Sequence, residues 1–270
     1  MPELPEVESV RRSLVRAELP GRTVTAANVG WDNTVKHPSA AEFAAGLAGR
    51  TIEGVGRRAK YLIFPLSGGD PDTFIVHLGM TGRLQVHPQT RKPDPLTRHA
   101  FSLDDGRELR FVDGRKFGKM WLVNDPTDVL PDLSPEPLTD DFTTELLAES
   151  LAGRNAPIKA LLLDQSITSG LGNLYADESL FLAGIHPERP ASALSVDEIA
   201  RLREAIVAAL TAAFGVYDRA RDQHWPDPPA ALTTWTHPRD TKAQCPNCGT
   251  NMAATRVRGR GTYYCPSCQG

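Results

Sequence analysis

The 270-residue chain has no run of about 18 or more apolar residues, so no membrane-spanning helix is expected. Its first residues are acidic and rich in proline, without the apolar stretch of a secretory signal. Cysteine is scarce: there are four, all beyond Gln244. That argues against a disulfide-stapled scaffold and fits a reducing compartment, the cytoplasm. No internal repeat is evident, so a solenoid is not expected. A surplus of positive charge is also missing, since 30 basic residues against 33 acidic ones leave a net charge of −3. Bulk attraction to a polyanion is therefore weak, and any nucleic-acid surface must be built from local clusters.

Such clusters are present. Arg57-Arg58-Ala59-Lys60, Arg115-Lys116-Phe117-Gly118-Lys119 and Arg256-Val257-Arg258-Gly259-Arg260 are basic islands, while acids concentrate between Asp125 and Glu149 and between Asp197 and Glu204. Taken singly, each island also suits a solvated surface.

The chain is long enough for two or three domains, and its pattern changes along its length. Residues 1–135 open with a helix predicted over Glu6–Leu19, with Val7, Val10, Leu14 and Val15 on one side and Pro20-Gly21 as the stop. Short β-like runs follow at Thr51–Val55, Tyr61–Leu66, Thr73–Leu78, Arg83–His87, Ala100–Leu103, Glu108–Val112 and Lys119–Val123. Their spacing predicts a β-sandwich or barrel. Residues 136–238 form a helical domain. It has a helix to Leu151 capped by Asp140-Asp141, a pair over Ile158–Asp164 and Asn173–Ala183, and an amphipathic helix Ser195–Phe214. Ser195 with Glu198 has the form of a capping box. Gln223–Thr241, rich in proline, reads as a loop, and residues 239–270 as a small module. The fold class is α+β.

The two ends carry the chemistry. Met1 precedes proline, a context in which aminopeptidases remove it, and Pro2 is then a secondary amine beside the Glu3 carboxylate. An α-amino group titrates at about 7.7–8.0, so a fraction of it is nucleophilic near neutrality. Its attack on an aldehyde-like carbon gives an iminium ion, an electron sink. At the far end, Cys245-x2-Cys248 and Cys265-x2-Cys268, with sixteen residues between the pairs, have the spacing of one structural zinc ion held by four thiolates. A module of about thirty residues cannot build a core, so the metal supplies its folding energy. Within it, Ala253–Arg258 and Gly261–Tyr264 read as a hairpin with Arg258-Gly259-Arg260 at the tip, a shape suited to phosphates.

Several stretches, in order, carry a family resemblance. They are Pro2-Glu-Leu-Pro-Glu-Val-Glu8 with Arg11-Arg12, Arg57-Arg-Ala-Lys60-Tyr-Leu, His77-Leu-Gly-Met80-Thr-Gly and Asp113-x-Arg115-Lys-Phe117-Gly. Gly172-Asn173-Leu-Tyr-Ala-Asp-Glu178-Ser, Gly184-Ile-His-Pro and the cysteine module complete the set. The chain resembles the formamidopyrimidine-DNA glycosylase / endonuclease VIII family over nearly its full length. The resemblance implies an N-terminal β-sandwich with a long first helix, a helix–two-turns–helix domain and a four-cysteine zinc finger. It implies a bifunctional glycosylase and AP lyase of base excision repair, acting on double-stranded DNA that holds an oxidised base or an abasic site. No oligomerisation stripe stands out in the sequence, so a monomer is expected. The damaged nucleotide is flipped out of the duplex. Pro2 is then the nucleophile, Glu3 the acid/base group, Lys60 a phosphate contact with a part in β-elimination, and Arg260 the finger arginine linked to δ-elimination. Met80, Arg115 and Phe117 fill the gap left by the extruded nucleotide. Arg154 and Asn173 hold phosphates, and Glu6 and Glu178 organise the pocket.

Read without the resemblance, these residues allow plainer roles. Met80 and Phe117 suit a core, Lys60 a surface lysine, Asn173 a helix cap and Arg115 a partner for a neighbouring carboxylate. The family's purine-directed branch fits the opening motif best, so oxidised purines are the expected lesions, with oxidised pyrimidines as the alternative. Two other readings are a silent lesion-binding protein and a tautomerase using Pro2. The family's DNA-contacting histidine near position 96 is replaced by Leu96, with Arg98 or His99 as possible substitutes. Residues 216–239 also depart from the family, and Trp225 or Trp235 is a candidate for stacking on a base.

Overall fold

A computed structural model describes residues 1–224 and 232–270. They fall into two compact units. One is Met1–Leu130 together with the end of a long helix from Ala220, and the other is Pro131–Arg219 together with the C-terminal segment. The stacking candidate Trp225 lies outside the described residues.

The first unit opens with helix α1, Leu4–Arg16. It begins two residues earlier and ends three residues earlier than the sequence predicts. Glu3 is its N-cap, Pro5 stands in its first turn and Arg16 in its last, each where the helix dipole and the missing amide bonds favour it. Leu4, Val7 and Leu14 are buried and turn one face to the core. Two sheets follow. The first is antiparallel and has the order β1 (Val24–Val29), β8 (Thr97–Leu103), β9 (Arg107–Val112), β7 (Arg83–Pro88). The second has the order β2 (Val35–His37), β10 (Lys119–Val123), β6 (Thr73–His77), β5 (Tyr61–Ser67), β3 (Thr51–Ile52), with β4 (Gly56–Arg58) also pairing β5. Phe64, Phe74, Phe101 and Phe111 from these strands meet Val7, Leu14 and Phe43 in one core.

The sequence did not suggest β1, β2 or helix α2 (Ala40–Leu47). Helix α2 starts from a capping box between Ser39 and Glu42 and buries Phe43 and Leu47. Strand β1 carries the weak strand formers Ala26, Ala27 and Asn28 at its centre and is held as a strand by its pairing with β8.

The second unit holds α3 (Thr144–Leu151), α4 (Ile158–Leu162), α5 (Asn173–Ala183), most of α6 (Val196–His224) and the hairpin β11 (Ala253–Val257) and β12 (Arg260–Tyr264). Thr143, not the Asp140-Asp141 pair, caps α3, its hydroxyl accepting from the Leu146 amide. Ser195 and Glu198 form the predicted capping box of α6. That helix runs ten residues past the predicted end. The buried stripe Leu202, Ile206, Leu210, Ala213 continues through Tyr217 and Ala220 at helical spacing, which carries the chain past Gly215. No helix among the described residues is long and apolar enough to cross a membrane.

Candidate functional site

In the first unit, three predicted residues lie around α1 and the β4–β5 hairpin, which pack on one another. Pro2 precedes the helix and Glu3 is buried at 4% exposure. The Glu3 amide donates to Glu6 Oε2 at 2.8 Å, so Glu6 closes the first turn around Glu3. In the next turn, Glu8 is the hub of an arginine cluster. It accepts from Arg11 Nη2 at 2.8 Å, Arg12 Nε at 2.8 Å and Arg57 Nε at 3.0 Å. Burial pushes its pKa up, but the three guanidinium groups outweigh this and hold it at about 2.

Arg57 also donates to the carbonyl of Ala59 at 3.1 Å. Ala59 and Lys60 form the tight turn between β4 and β5, and Ala59 takes a positive φ of 50° there. Lys60 is only 7% exposed, so it is not a snorkelling surface lysine. Near it lies His77, whose pKa falls to about 4, first through burial and then through the charges of Lys60 and Lys119. His77 therefore stays neutral near pH 7, and its Nδ1 accepts from the Gly79 amide at 3.2 Å.

That amide opens a loop, Leu78–Gly82, which carries Met80 and is closed by the Gly82 amide on the Leu78 carbonyl. Beside it runs a second loop, Asp113–Gly118, which carries Arg115 and Phe117. The backbones touch closely. A Cβ placed on Gly79, at φ +66°, would lie 2.4 Å from the Phe117 carbonyl carbon, so only glycine fits. Phe117 is half exposed rather than part of the core, and the Arg115 guanidinium lies 5.0 Å from its ring centre. Met80 is partly exposed. The three predicted gap-filling residues thus share one edge of the unit.

Of the two proposed substitutes for the missing histidine, His99 is enclosed and Arg98 is partly exposed. His99 is buried against Phe101 and Phe111, and burial pushes its pKa down to about 4. Arg98 donates Nε to the Asp113 carbonyl at 2.8 Å and braces the second loop.

In the second unit, α5 joins the helical pair to the C-terminal hairpin. Its N-cap is Gly172, so Asn173 is not the cap. Asn173 Nδ2 instead donates to the Gly261 carbonyl at 3.0 Å. Lys159, fully buried on α4, lies 2.7 Å from Asp177 and also donates to Thr262 Oγ1 at 2.7 Å and the Gly261 carbonyl at 3.2 Å. Asp177 Oδ2 takes Arg239 at 2.8 Å. Three residues of the helical pair therefore fix the strand that starts at Arg260. Arg260 itself is exposed just after the turn Arg258-Gly259, both residues with positive φ as a two-residue hairpin turn requires. Arg154 is exposed in the turn after α3.

Glu178 follows Asp177. It accepts from the Thr236 amide at 2.8 Å, the Thr236 hydroxyl at 2.6 Å, the His237 amide at 3.2 Å and His237 Nδ1 at 2.6 Å. Burial raises its pKa, and these bonds more than reverse that. Its two oxygens are used to anchor this segment. Trp235 is partly buried in the same segment. Sequence reading did not single out Lys159, Asp177 or Asp113 as functional. The only signal was a lysine inside an apolar helical run, Ile158–Leu162, which demands a buried partner.

The sulfur atoms of Cys245, Cys248, Cys265 and Cys268 all lie within 4.8 Å of one another. Cys245 to Cys268 is 3.9 Å and Cys248 to Cys265 is 3.5 Å. Both are too long for disulfides, and both are close to the edge of about 3.8 Å expected of a tetrahedron of thiolates around zinc. The four cysteines converge as a site for one metal ion.

Residues 1–120 match the family described as "Formamidopyrimidine-DNA glycosylase N-terminal domain", and residues 133–220 match "Formamidopyrimidine-DNA glycosylase H2TH domain". A formamidopyrimidine-DNA glycosylase of Roseiflexus sp. (strain RS-1) is 43% identical, with all of both chains covered. The enzyme of Lactococcus lactis, solved bound to DNA containing an AP site, superposes with a TM-score of 0.86 at 32% identity over 99% of each chain. The same enzyme has been solved with DNA containing Fapy-dG and with DNA containing an oxidised pyrimidine. The corresponding protein of Thermus thermophilus gives a TM-score of 0.84 at 36% identity, over 100% of this chain and 99% of that one.

Proposed function

The chain belongs to the formamidopyrimidine-DNA glycosylase family, and from that premise we propose that it is a bifunctional glycosylase and AP lyase acting on oxidised bases in double-stranded DNA. Oxidised purines are its first substrates and abasic sites its second. Oxidised pyrimidines extend the range, in keeping with the lesions on which the Lactococcus relative has been solved. Its work lies where the chromosome is, in the cytoplasm.

The observation that carries this reading is the setting of Glu3. A buried carboxyl caps α1 directly after Pro2, and Glu8 on the same helix is tied to the turn that bears Lys60. Once Met1 is removed, the Pro2 nitrogen bonds to C1′ of the damaged nucleotide, and the base leaves with the electrons of its glycosidic bond. Glu3 protonates the ring oxygen as the sugar opens, which leaves an iminium ion. Loss of a C2′ proton then expels the 3′ phosphate, and a second elimination expels the 5′ phosphate. Water finally releases the sugar fragment from Pro2. Lys60 and Arg260 hold phosphates during these steps, Arg154 and Asn173 bind the flanking backbone, and Met80, Arg115 and Phe117 occupy the vacated stack. Glu6 fixes Glu3, and Glu178 fixes the segment at Thr236-His237.

The four cysteines suit zinc, the ion whose tetrahedral geometry and affinity for thiolates match them. It supplies the folding energy of the hairpin module.

Borohydride trapping tests the reading. Mature protein incubated with abasic duplex and reductant is expected to form a covalent adduct, and Pro2→Gly to lose most of it. A protein with Pro2 exposed that binds such DNA but never cross-links to it is a silent lesion binder instead.

A further inference from the structure

Asp113 is fully buried, and both of its carboxylate oxygens are committed to the two loops that carry Met80, Arg115 and Phe117. Oδ1 accepts from the Thr81 hydroxyl at 2.5 Å and from the Arg115 amide at 3.1 Å, while Oδ2 accepts from the Gly118 amide at 2.8 Å. The Arg115 amide lies 3.2 Å from the Thr81 oxygen as well. Thr81 directly follows Met80, and the two amides bracket Arg115 and Phe117. Each of the three gap-filling residues therefore contains, or directly adjoins, a residue bonded to Asp113 or Thr81. The contact is closed from below by Gly118, where an added Cβ would fall 2.3 Å from the Phe111 ring, and from the side by Gly79.

We propose that Asp113 and Thr81 are positioning residues that assemble Met80, Arg115 and Phe117 into a preformed wedge before DNA is met. This rests on the proposed lesion-directed activity. The physical reason is entropic. Met80 and Phe117 are exposed or partly exposed, so their own packing does not fix them, and a wedge ordered only on binding loses part of its contact energy to that ordering. A buried carboxylate that accepts three hydrogen bonds from the two loops sets them in advance. The hydroxyl of Thr81 is a side-chain bond between the loops that can be removed without touching the core, because Thr81 is otherwise exposed.

The experiment uses full-length protein with Thr81→Val and Thr81→Ser, each assayed by borohydride trapping and incision on an abasic site in duplex and in single-stranded oligonucleotide. A single strand has no stacked gap to fill. Thr81→Val is expected to lose about tenfold in kcat/KM on the duplex, mostly through KM, and less than about twofold on the single strand. Thr81→Ser, which keeps the hydroxyl, restores the duplex value. The fluorescence change of 2-aminopurine placed opposite the abasic site, a direct readout of stacking, falls in Thr81→Val and returns in Thr81→Ser. Equal duplex activity of Thr81→Val and wild type overturns the proposal, as does an equal loss on both substrates, which marks a general folding or chemical defect. Failure of the wild-type protein to trap on either substrate is a different result and overturns the activity assignment itself.

Discussion

Arg57 Nε donates to Glu8 Oε2 at 3.0 Å, and this contact joins the helix that begins at Glu3 to the turn that carries Lys60. The residues are 49 positions apart. Arg57 is then bound at both ends, to Glu8 on α1 and to the Ala59 carbonyl. The start of the chain, where the proposed nucleophile Pro2 lies, needs such an anchor, because termini fray unless they are tied down.

Glu8→Gln is expected to lower stability by on the order of 2 kcal/mol at neutral pH, a figure reduced for the partial exposure of Arg11 and Arg12. The sign with pH follows from the depressed pKa. Glu8 contributes fully above its unfolded value of 4.5, and the contribution fades as pH falls toward about 2. Urea melts at pH 7, 4 and 3 check this: the gap between wild type and variant should close as pH drops. A gap that widens instead rules the anchor out.

Lys159→Met leaves Asp177 buried without its ammonium partner and removes the two bonds to the finger strand. Arg239 still pairs with Asp177, so a loss of about 2–3 kcal/mol is expected, below the ~3–5 kcal/mol usual when a buried charge is left with no partner. Chemical denaturation reads the loss, and hydrogen exchange at Thr262 and Tyr263 should show faster opening there than in β5.

Phe117→Ala removes a half-exposed ring, so its melting temperature should match wild type within the effect of about 0.5 kcal/mol typical of surface changes. Incision of a lesion in duplex should nevertheless fall by about tenfold or more, because an extruded nucleotide leaves a gap that costs a few kcal/mol of stacking. A drop in stability with unchanged incision contradicts the wedge and favours a packing role.

Withdrawal of metal with a strong chelator should unfold the hairpin module while leaving the first unit intact. Among the described residues, the apolar cluster around the module holds Met252 and Phe181 besides Cys245 and Cys265, and the hairpin adds the buried Val257, too few for an independent core. Duplex affinity is expected to fall and to return on adding zinc, as measured by gel shift. Cys248→Ser should reproduce the chelated state. Full affinity in the metal-free protein would show that the hairpin is not part of the DNA surface.

Some of this architecture is legible in the chain alone. The bounds of α5, the hairpin strands to within a residue, the Pro2-Glu3 start and the four-cysteine spacing all follow from signals that act within a few residues: turn glycines, caps and ligand spacing. The sequence also places Arg115 and Phe117 beside one another. Other features depend on partners far along the chain. Helix α6 outruns its expected end because its buried stripe continues, and β1 is a strand only through β8. The hydrogen bond between Thr81 and Asp113 spans 32 residues, and Lys159 finds Asp177 on another helix. Short-range order is written in periodicity and backbone preference. The pairing of buried charges depends on which surfaces meet after the chain has folded, and no local pattern encodes that.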